Sequence, residues 1–433
     1  VNMKIECCIA ALIVSSASAF SPQLANAAIR RSIFLYGEDD DGDELQASLR
    51  SRRGTGGKTS RTSLVPKGIG IGTLAWGEPE RGCFNTYNPG DLQGAYNALV
   101  EEGLLYFDTS ESFGKASLEE GFSAEQLLGR FASDNYKTTP KIATTFEPSL
   151  LRFGSGAVVK ALEASLERMG VGYVEVLQLG KPGLYWGGRR SLYKGLALCK
   201  ERGMCNSVGV SGYNAKQVEH AHAGLAKLGV TLVSNRVKFS LLEQTPLKDG
   251  TVDTCKRLGV TVLAAAPLNG GLASARYTAT NPTGGKFAAR KKKKKVTSNK
   301  NKNAPKSQSA GGGGPPGRRR APGARFAFEE LQKTMPLHAA LKSVAMQVAK
   351  REKEALEGRE VTPAQVALNW VVAKGAVPLA GVNTVGDAQE VAGCVGWRLK
   401  AGDLETLDEA VEEGKNTKVK TSASYDGGDF LKW

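Results

Sequence analysis

Eight short, mostly apolar runs recur along the chain from about residue 64 onward. Each run is five or six residues long, as expected of strands that are buried on both faces of a sheet. Longer amphipathic patterns typical of helices lie between them, for example at 157–166 and 216–225. The eight runs lie at residues 68–73, 104–108, 141–146, 174–179, 207–211, 231–235, 261–266 and 376–381.

The order of these elements predicts the fold. Eight strand-then-helix units favour an α/β fold, a single-domain (β/α)8 TIM barrel, because an open doubly wound sheet rarely supplies eight regular repeats. Another helix is predicted to begin at Pro363 with Thr362 as its N-cap. The glycine run at 68–72 has GxGxG spacing and no helical pattern after it, so it is not interpreted as a dinucleotide-binding fingerprint.

Length and cysteine content exclude several other classes of protein. The 433 residues are enough for one large barrel with extensions. No apolar run reaches the roughly 20 residues of a membrane-spanning helix, so no transmembrane segment is predicted. The seven cysteines are scattered and contain no CxxC pair, which argues against a disulfide framework or a zinc finger. No metal site is predicted.

The formal net charge of +15 comes almost entirely from one segment. Residues 286–325 contain fourteen basic residues and no acidic residue, so the rest of the chain is close to neutral. This lysine-, glycine- and proline-rich stretch lies between the seventh and eighth strands and is predicted to be a disordered insert. Contact with an anionic lipid surface or RNA is the functional alternative. Aromatic residues only flank the segment, so no specific nucleic-acid recognition is expected.

The N-terminal residues have the composition of a targeting segment. A short apolar run at 7–14 is followed by small residues ending in 17–19, which fits a signal peptide and its cleavage site. No acidic residue then occurs between Phe20 and Glu38. The junction resembles the bipartite presequences of diatoms and related algae, which implies a location in a complex plastid. Ordinary secretion is the alternative.

These features predict the domain organisation. The predicted segments are a bipartite plastid presequence at 1–36, a disordered linker at 37–62, strands 1–7 of the barrel at 63–284, the basic insert at 285–325, and strand 8 with the C-terminal helices at 326–433.

In such a barrel, chemistry lies on residues at the carboxyl ends of the strands. Several motifs there resemble the aldo-keto reductase superfamily, and the likeness is strongest to plant and algal chloroplast members. The motifs are Phe107-Asp108-Thr109-Ser110-Glu111 with Gly114, Gly209-Val210-Ser211, Ser234-Asn235, Thr362-Pro363-Ala364-Gln365 and Gly396-Trp397-Arg398-Leu399, with 127–130, 152–154 and 281–282 pointing to the chloroplast members.

The resemblance implies a carbonyl reduction in which NADPH supplies a hydride and a tyrosine supplies a proton. A lysine paired with an aspartate lowers the pKa of that tyrosine, and a histidine orients the substrate. Asp108 keeps the aspartate. The tyrosine, lysine and histidine positions hold Phe113, Thr145 and Gly180, none of which can perform the original task. Lys181 is the possible substitute for the proton donor.

Glu111 and Tyr213 are further side chains near these positions that could in principle donate a proton.

The resemblance also implies where a dinucleotide would bind. A stacking tyrosine of the family is Ala265 in this chain, a glutamine is Arg236, and the basic residue that pairs with the adenosine 2′-phosphate is Asn383. Binding of NADP(H) is therefore expected to be weak or lost. The candidate cofactor-binding residues are Ser211, Asn235, Arg236, Arg276, Gly381, Asn383 and Thr384.

Three hypotheses of function follow. The first is a catalytically inactive aldo-keto reductase-like protein, or pseudoenzyme, that serves in the plastid as a scaffold or as a sensor of a small ligand or NADP(H). Its partner would be another protein or a small carbonyl-like molecule. The second is a divergent NAD(P)H-dependent carbonyl reductase with a rewired proton donor. The third is binding to anionic lipid or RNA through the basic insert.

Overall fold

A computed structural model describes residues 68–417 of the chain, with gaps. The gaps are 79–80, 82–86, 115–121, 136–137, 150–151, 153, 182–187, 283, 285–325, 354–355 and 357. The predicted presequence, linker and basic insert lie outside the described residues, so the domain boundaries remain predictions.

Eight parallel strands form a closed barrel in chain order, with helices between them. This confirms the predicted (β/α)8 TIM barrel. The strands are β1 Gly70–Gly72, β2 Tyr106–Asp108, β3 Lys141–Phe146, β4 Val174–Leu179, β5 Cys205–Ser211, β6 Leu232–Lys238, β7 Thr261–Ala265 and β8 Ala376–Gly381.

Several helices begin at a side-chain N-cap that the sequence provides. Thr362 accepts a hydrogen bond from the backbone of Gln365 and Pro363 is the first helical residue, as predicted. The helices are α1 Pro89–Glu101, α2 Ala124–Asp134, α3 Ser155–Met169, α4 Arg189–Glu201, α5 Ala215–Ala226, α6 Thr245–Lys248, α7 Thr251–Arg257, α8 Phe328–Lys333, α9 Met335–Arg351, α10 Pro363–Ala373, α11 Val385–Ala392 and α12 Ala401–Asn416. A 3-10 segment, Asn269–Ser274, follows β7.

The described residues divide into two compact units. One contains Leu105–Arg236 and Thr254–Thr261, and therefore β2 to β5 and most of β6. The other contains Gly68–Leu104, Val237–Asp253 and the chain from Val262 onward.

Cross-strand register decides which side chains of the first unit lie together. Thr145 pairs with Gln178, Gln178 with Gly209, and Gly209 with Ser234. Paired residues of neighbouring parallel strands point to the same face, and residues two positions further on point there as well. Ser211 and Arg236 form the next such pair toward the carboxyl ends.

Helices α2 and α3 of the first unit approach each other closely. A Cβ atom added to Gly129 would lie 2.2 Å from the carbonyl oxygen of Met169. The buried Glu125 links the same region, because it accepts hydrogen bonds from Thr144 of β3 at 2.6 Å and from the Nε of Arg168 at 2.7 Å. Glycine is therefore required for this helix contact.

Tyr277 joins the two chain segments that flank the insert. Its ring packs edge-on against Phe326 with centroids 5.1 Å apart. Gly284 also lies close to this ring, because an added Cβ would be 2.4 Å from its Cε1 atom. Both ends of the insert thus start from one cluster, which Leu272 and Leu331 complete.

Candidate functional site

Asp108 is held by two side chains from other strands. Its Oδ1 accepts a hydrogen bond from the Nε2 of Gln178 at 2.6 Å, and its Oδ2 accepts one from the Nη1 of Arg236 at 2.7 Å. The Asp108 side chain is 4% exposed and that of Arg236 is 10% exposed. We call this buried ion pair the Asp108–Arg236 pair.

Arg236 reaches Asp108 because β6 places it on the inner face beside Ser211. The Arg236 Nε donates to the Ser211 hydroxyl at 3.0 Å, which fixes the plane of the guanidinium. Burial by itself would lower the pKa of Arg236, but the charge and hydrogen bond of Asp108 raise the pKa above its ordinary value. The charge of Glu147 adds to this increase. The guanidinium therefore stays charged.

Neither Phe113 nor Thr145 replaces the tyrosine or the lysine of the family. The Arg236 Cζ atom lies 5.7 Å from the centre of the Phe113 ring. The Thr145 hydroxyl is buried and has no hydrogen-bond partner among the described residues. Asp108 is thus paired with a cation from β6, whereas the resemblance implies one from β3.

The histidine position is filled by a neighbouring carboxylate. A Cβ atom added to Gly180 would lie 2.1 Å from the Oε2 of Glu147. The backbone N–H of Glu147 donates to Glu111 at 3.0 Å, and Glu111 is held in turn by both terminal nitrogens of Arg152. Glu147 therefore occupies the space into which a side chain at residue 180 would grow.

The other candidate proton donors are poorly placed for acid catalysis. Lys181 is exposed, and the start of its side chain lies beside Gly212. Glu111 is committed to Arg152. Burial raises the pKa of the Tyr213 phenol well above its ordinary value, so this group holds its proton tightly.

Sequence analysis did not assign Gln178 or Glu147 to this site, and it placed Arg236 with the cofactor rather than with Asp108. One signal was present in the sequence. An arginine that continues a buried apolar strand needs a buried acid nearby, and Asp108 ends another such strand. Gln178 and Glu147 carry no comparable signal, because only the strand register brings them to the others.

Asn235, a candidate cofactor residue of the same unit, is bound to backbone. Its Nδ2 donates to the carbonyl oxygen of Tyr213 at 2.9 Å, and its Oδ1 accepts from the N–H of Tyr213 at 3.4 Å. The Ser211 hydroxyl accepts from Arg236. These side chains hold the loop after β5 in place.

The remaining cofactor candidates lie in the second unit around α11. Arg276 forms ion pairs with Asp387, at 3.4 Å from its Nη1, and with Glu390. Thr384 caps α11 by accepting from the N–H of Asp387 at 3.2 Å. The Asn383 Oδ1 is buried with no partner among the described residues, and a Cβ atom added to Gly381 would meet open space.

The cofactor candidates therefore do not offer a cation that is ready for a phosphate. Both basic residues among them, Arg236 and Arg276, are bound to carboxylates of the chain itself. Within the described ranges no group of three or more His, Cys, Asp and Glu side chains is suitably placed to hold a metal ion. In the same part of the chain, no helix is both long and apolar enough to cross a bilayer.

A parallel eight-stranded barrel with polar side chains after its strands defines a large class of α/β proteins. Residues 68–412 match the model of the aldo/keto reductase family. The chain therefore belongs to this family, which confirms the resemblance seen in the sequence motifs.

Two sequence relatives cover most of the chain. The chloroplastic pyridoxal reductase of Arabidopsis thaliana is 28% identical over 365 residues, which is 81% of this chain and 85% of that protein. An uncharacterized oxidoreductase of Mycobacterium tuberculosis is 26% identical over 350 residues, or 79% of this chain and 88% of that protein.

Solved structures show the same fold. An aldo-keto reductase from Klebsiella pneumoniae in complex with NADPH has a TM-score of 0.54 at 18% identity, covering 82% of this chain and 95% of that chain. The glycerol dehydrogenase of Gluconobacter oxydans has a TM-score of 0.55 at 17% identity, covering 82% and 94%.

Proposed function

We propose that this chain is a catalytically inactive aldo-keto reductase of the plastid that acts by binding, as a scaffold or as a sensor of a small carbonyl-like ligand. The observation that carries the proposal is the Asp108–Arg236 pair. The aspartate that would support a catalytic lysine is instead neutralised by an arginine of another strand, beside a phenylalanine.

No group of the pair can replace the missing acid. An arginine side chain remains protonated in proteins and so cannot deliver a proton to a carbonyl oxygen. Phe113 has no acidic hydrogen and Thr145 has no charge. The loss of a positioned general acid alone costs roughly 10² to 10⁴ in rate, and here the groups that would support it are absent too.

Arg236 still provides a way to bind an oxygen atom. Its Nε and Nη1 are engaged, whereas its Nη2 forms no hydrogen bond with any described residue. The side chain is 10% exposed. A guanidinium that keeps one N–H group uncommitted can donate to a carbonyl or hydroxyl oxygen of a ligand that reaches it. This supports binding without turnover.

The plastid location rests on two independent supports. The presequence pattern at 1–36 lies outside the described residues, and the Arabidopsis relative is named as chloroplastic. A secreted protein is the alternative. A fusion of residues 1–36 to a fluorescent protein, expressed in a diatom, should accumulate in the plastid, and secreted or cytosolic fluorescence would contradict this part of the proposal.

The test of inactivity uses the full chain with NADPH and NADH and a panel of aldehydes that includes pyridoxal, the substrate named in the Arabidopsis relative. No oxidation of either nucleotide above the rate without protein is expected at neutral pH. Turnover that disappears in Lys181→Ala but persists in Lys216→Ala, a lysine of α5, would instead establish a reductase with a rewired proton donor.

A further inference from the structure

Two carboxylates of α11 form ion pairs with Arg276, one of the residues predicted to bind the cofactor. Arg276 contacts both Asp387 and Glu390, which lie three residues apart and therefore on one face of the helix. The Asp387 and Glu390 side chains are 13% and 19% exposed, and that of Arg276 is 34% exposed. The arrangement is a partly buried cluster with one positive and two negative charges.

The first turn of α11 keeps these carboxylates in place. Besides its contact with Arg276, Asp387 accepts a hydrogen bond from the backbone N–H of Asn383 at 3.2 Å. Its own N–H is bound by the Thr384 hydroxyl. The helix start, where backbone N–H groups favour an anion, is thus already supplied with a negative charge from the chain.

We propose that Asp387 and Glu390 exclude the 2′-phosphate of NADPH, so that any nicotinamide dinucleotide accepted by this chain is NADH. The inference goes beyond the proposed function, and the place of the phosphate is the one that the family resemblance implies, beside position 383. Family members are expected to meet the phosphate with a basic residue at position 383, whereas this chain has Asn383 and two acids beyond it.

Charge explains the direction of the discrimination. A phosphate dianion beside Asp387 and Glu390 would be repelled by both carboxylates and would compete with them for Arg276. A ribose 2′-hydroxyl, by contrast, can donate a hydrogen bond to a carboxylate, which is how acidic residues favour the unphosphorylated cofactor in other dinucleotide sites. The same two side chains therefore disfavour NADPH and tolerate NADH.

The test is a fluorescence titration of the full chain with NADPH and with NADH. The variant Asp387→Asn/Glu390→Gln keeps the side-chain shapes and removes both negative charges beside Arg276. We expect NADPH affinity to rise about tenfold or more at low salt, with little change for NADH. The gain should shrink as salt is added. Glu405→Gln/Glu409→Gln, two exposed residues of α12, is the control of equal charge change.

A third variant assigns the gain to Arg276. Adding Arg276→Gln to the double variant should return NADPH affinity to the level of the unmodified chain. The proposal is overturned if the unmodified chain prefers NADPH to NADH, or if the double variant gains no more NADPH affinity than the α12 control. The titration measures dinucleotide binding and needs no aldehyde. Aldehyde reduction by the unmodified chain would therefore refute the proposed function, but the comparison of NADPH and NADH affinities would still test this inference.

Discussion

The charges of Asp108 and Arg236 neutralise each other in a buried site. Replacing one residue alone therefore leaves the charge of the other buried without its counter-charge. Removing one partner of a buried ion pair typically costs about 3–5 kcal/mol, most of it from the charge that is left behind. We expect losses of this size in the free energy of unfolding for Asp108→Asn and for Arg236→Gln.

The double variant Asp108→Asn/Arg236→Gln should be compared with the two single variants. It removes both charges while keeping similar shapes, so it should be more stable than either single variant in urea unfolding. Strictly additive losses would contradict a direct interaction between the two side chains.

A second prediction concerns restoration of activity. Sequence reasoning suggests Phe113→Tyr, Thr145→Lys, Gly180→His and Ala265→Tyr. The structure adds two obstacles, because Arg236 occupies the Asp108 carboxylate and Glu147 fills the space at residue 180. The fourfold variant should therefore remain inactive. Reduction of aldehydes should appear only when Arg236→Gln and Glu147→Ala are added, since residues acting as a unit are strongly non-additive.

The control for this prediction is Phe113→Tyr alone, which should also be inactive. Equal turnover by the fourfold and sixfold variants, measured with NADPH and NADH, would show that neither Arg236 nor Glu147 blocks the site.

The residue scale also shows where sequence reasoning stopped. Phe113, Thr145 and Gly180 could be named from the family resemblance, because each lies at or just after the end of a strand that the apolar pattern marks. The pairing of Arg236 with Asp108 is a contact across 128 positions of sequence, set by which strands face each other in the barrel. Local pattern carries no information on such a contact beyond the unusual presence of arginine in a buried run.

Among the secondary-structure elements, α2 and α3 depend on a glycine. In Gly129→Ala the new methyl group would meet the carbonyl oxygen of Met169, so the helices must separate. We expect a loss of roughly 1–3 kcal/mol in the free energy of unfolding. Gly156→Ala, in the exposed first turn of α3 with no atom within 4 Å, is the matched control and should be neutral or slightly stabilising. Equal effects would contradict the close helix contact.

Helix α12 gives a prediction on pH. Burial by itself would raise the pKa of Asp403, but hydrogen bonds from Arg351 and from the backbone of Lys400 lower it below the ordinary value of 3.8. A depressed carboxyl pKa stabilises the fold above the unfolded pKa, and this contribution is lost as the pH falls through the folded pKa. Asp403→Asn should thus be less stable than the unmodified chain at pH 7, and the difference should shrink below about pH 4.

Thermal unfolding across this pH range is the measurement. Glu405→Gln, an exposed residue of the same helix, should show no such convergence. A stability difference for Asp403→Asn that stays constant down to pH 2 would contradict the role of the Arg351 contact.

Element boundaries were predictable where apolar runs end in glycine or a loop residue. Strands β3, β4 and β8 have the predicted bounds. Strand β6 was predicted to end at residue 235 but continues to Lys238. The reason is physical: Arg236 belongs to the strand interior because Asp108 compensates its charge, and a run broken by arginine resembles a loop in sequence alone.

At the scale of the whole molecule, the cluster around Tyr277 leads us to expect that the thermal stability of the chain changes little when the insert is replaced. Gly284 and Phe326 both pack on this ring, so the insert begins and ends at one place. Replacing residues 286–325 with a short Gly/Ser loop should shift the thermal midpoint by less than about 3 °C, because loop-closure entropy varies slowly with length. An aggregated product would show that the insert contributes to folding.

The variant Tyr277→Ala tests whether the cluster around Tyr277 stabilises the fold. It should lower the midpoint of the full chain and of the shortened chain alike, since both chains contain the cluster.

The Asp108–Arg236 pair also bears on how the chain can evolve. The family resemblance implies a lysine on β3 as the partner of Asp108, whereas in this chain Arg236 of β6 pairs with that carboxylate. A single mutation that returns the lysine would place two cations on one acid, whereas a single mutation that removes Arg236 would strand the acid. Each of these two single mutations is therefore expected to make the chain less stable. Selection for folding alone would therefore maintain the ion pair, whatever the protein binds.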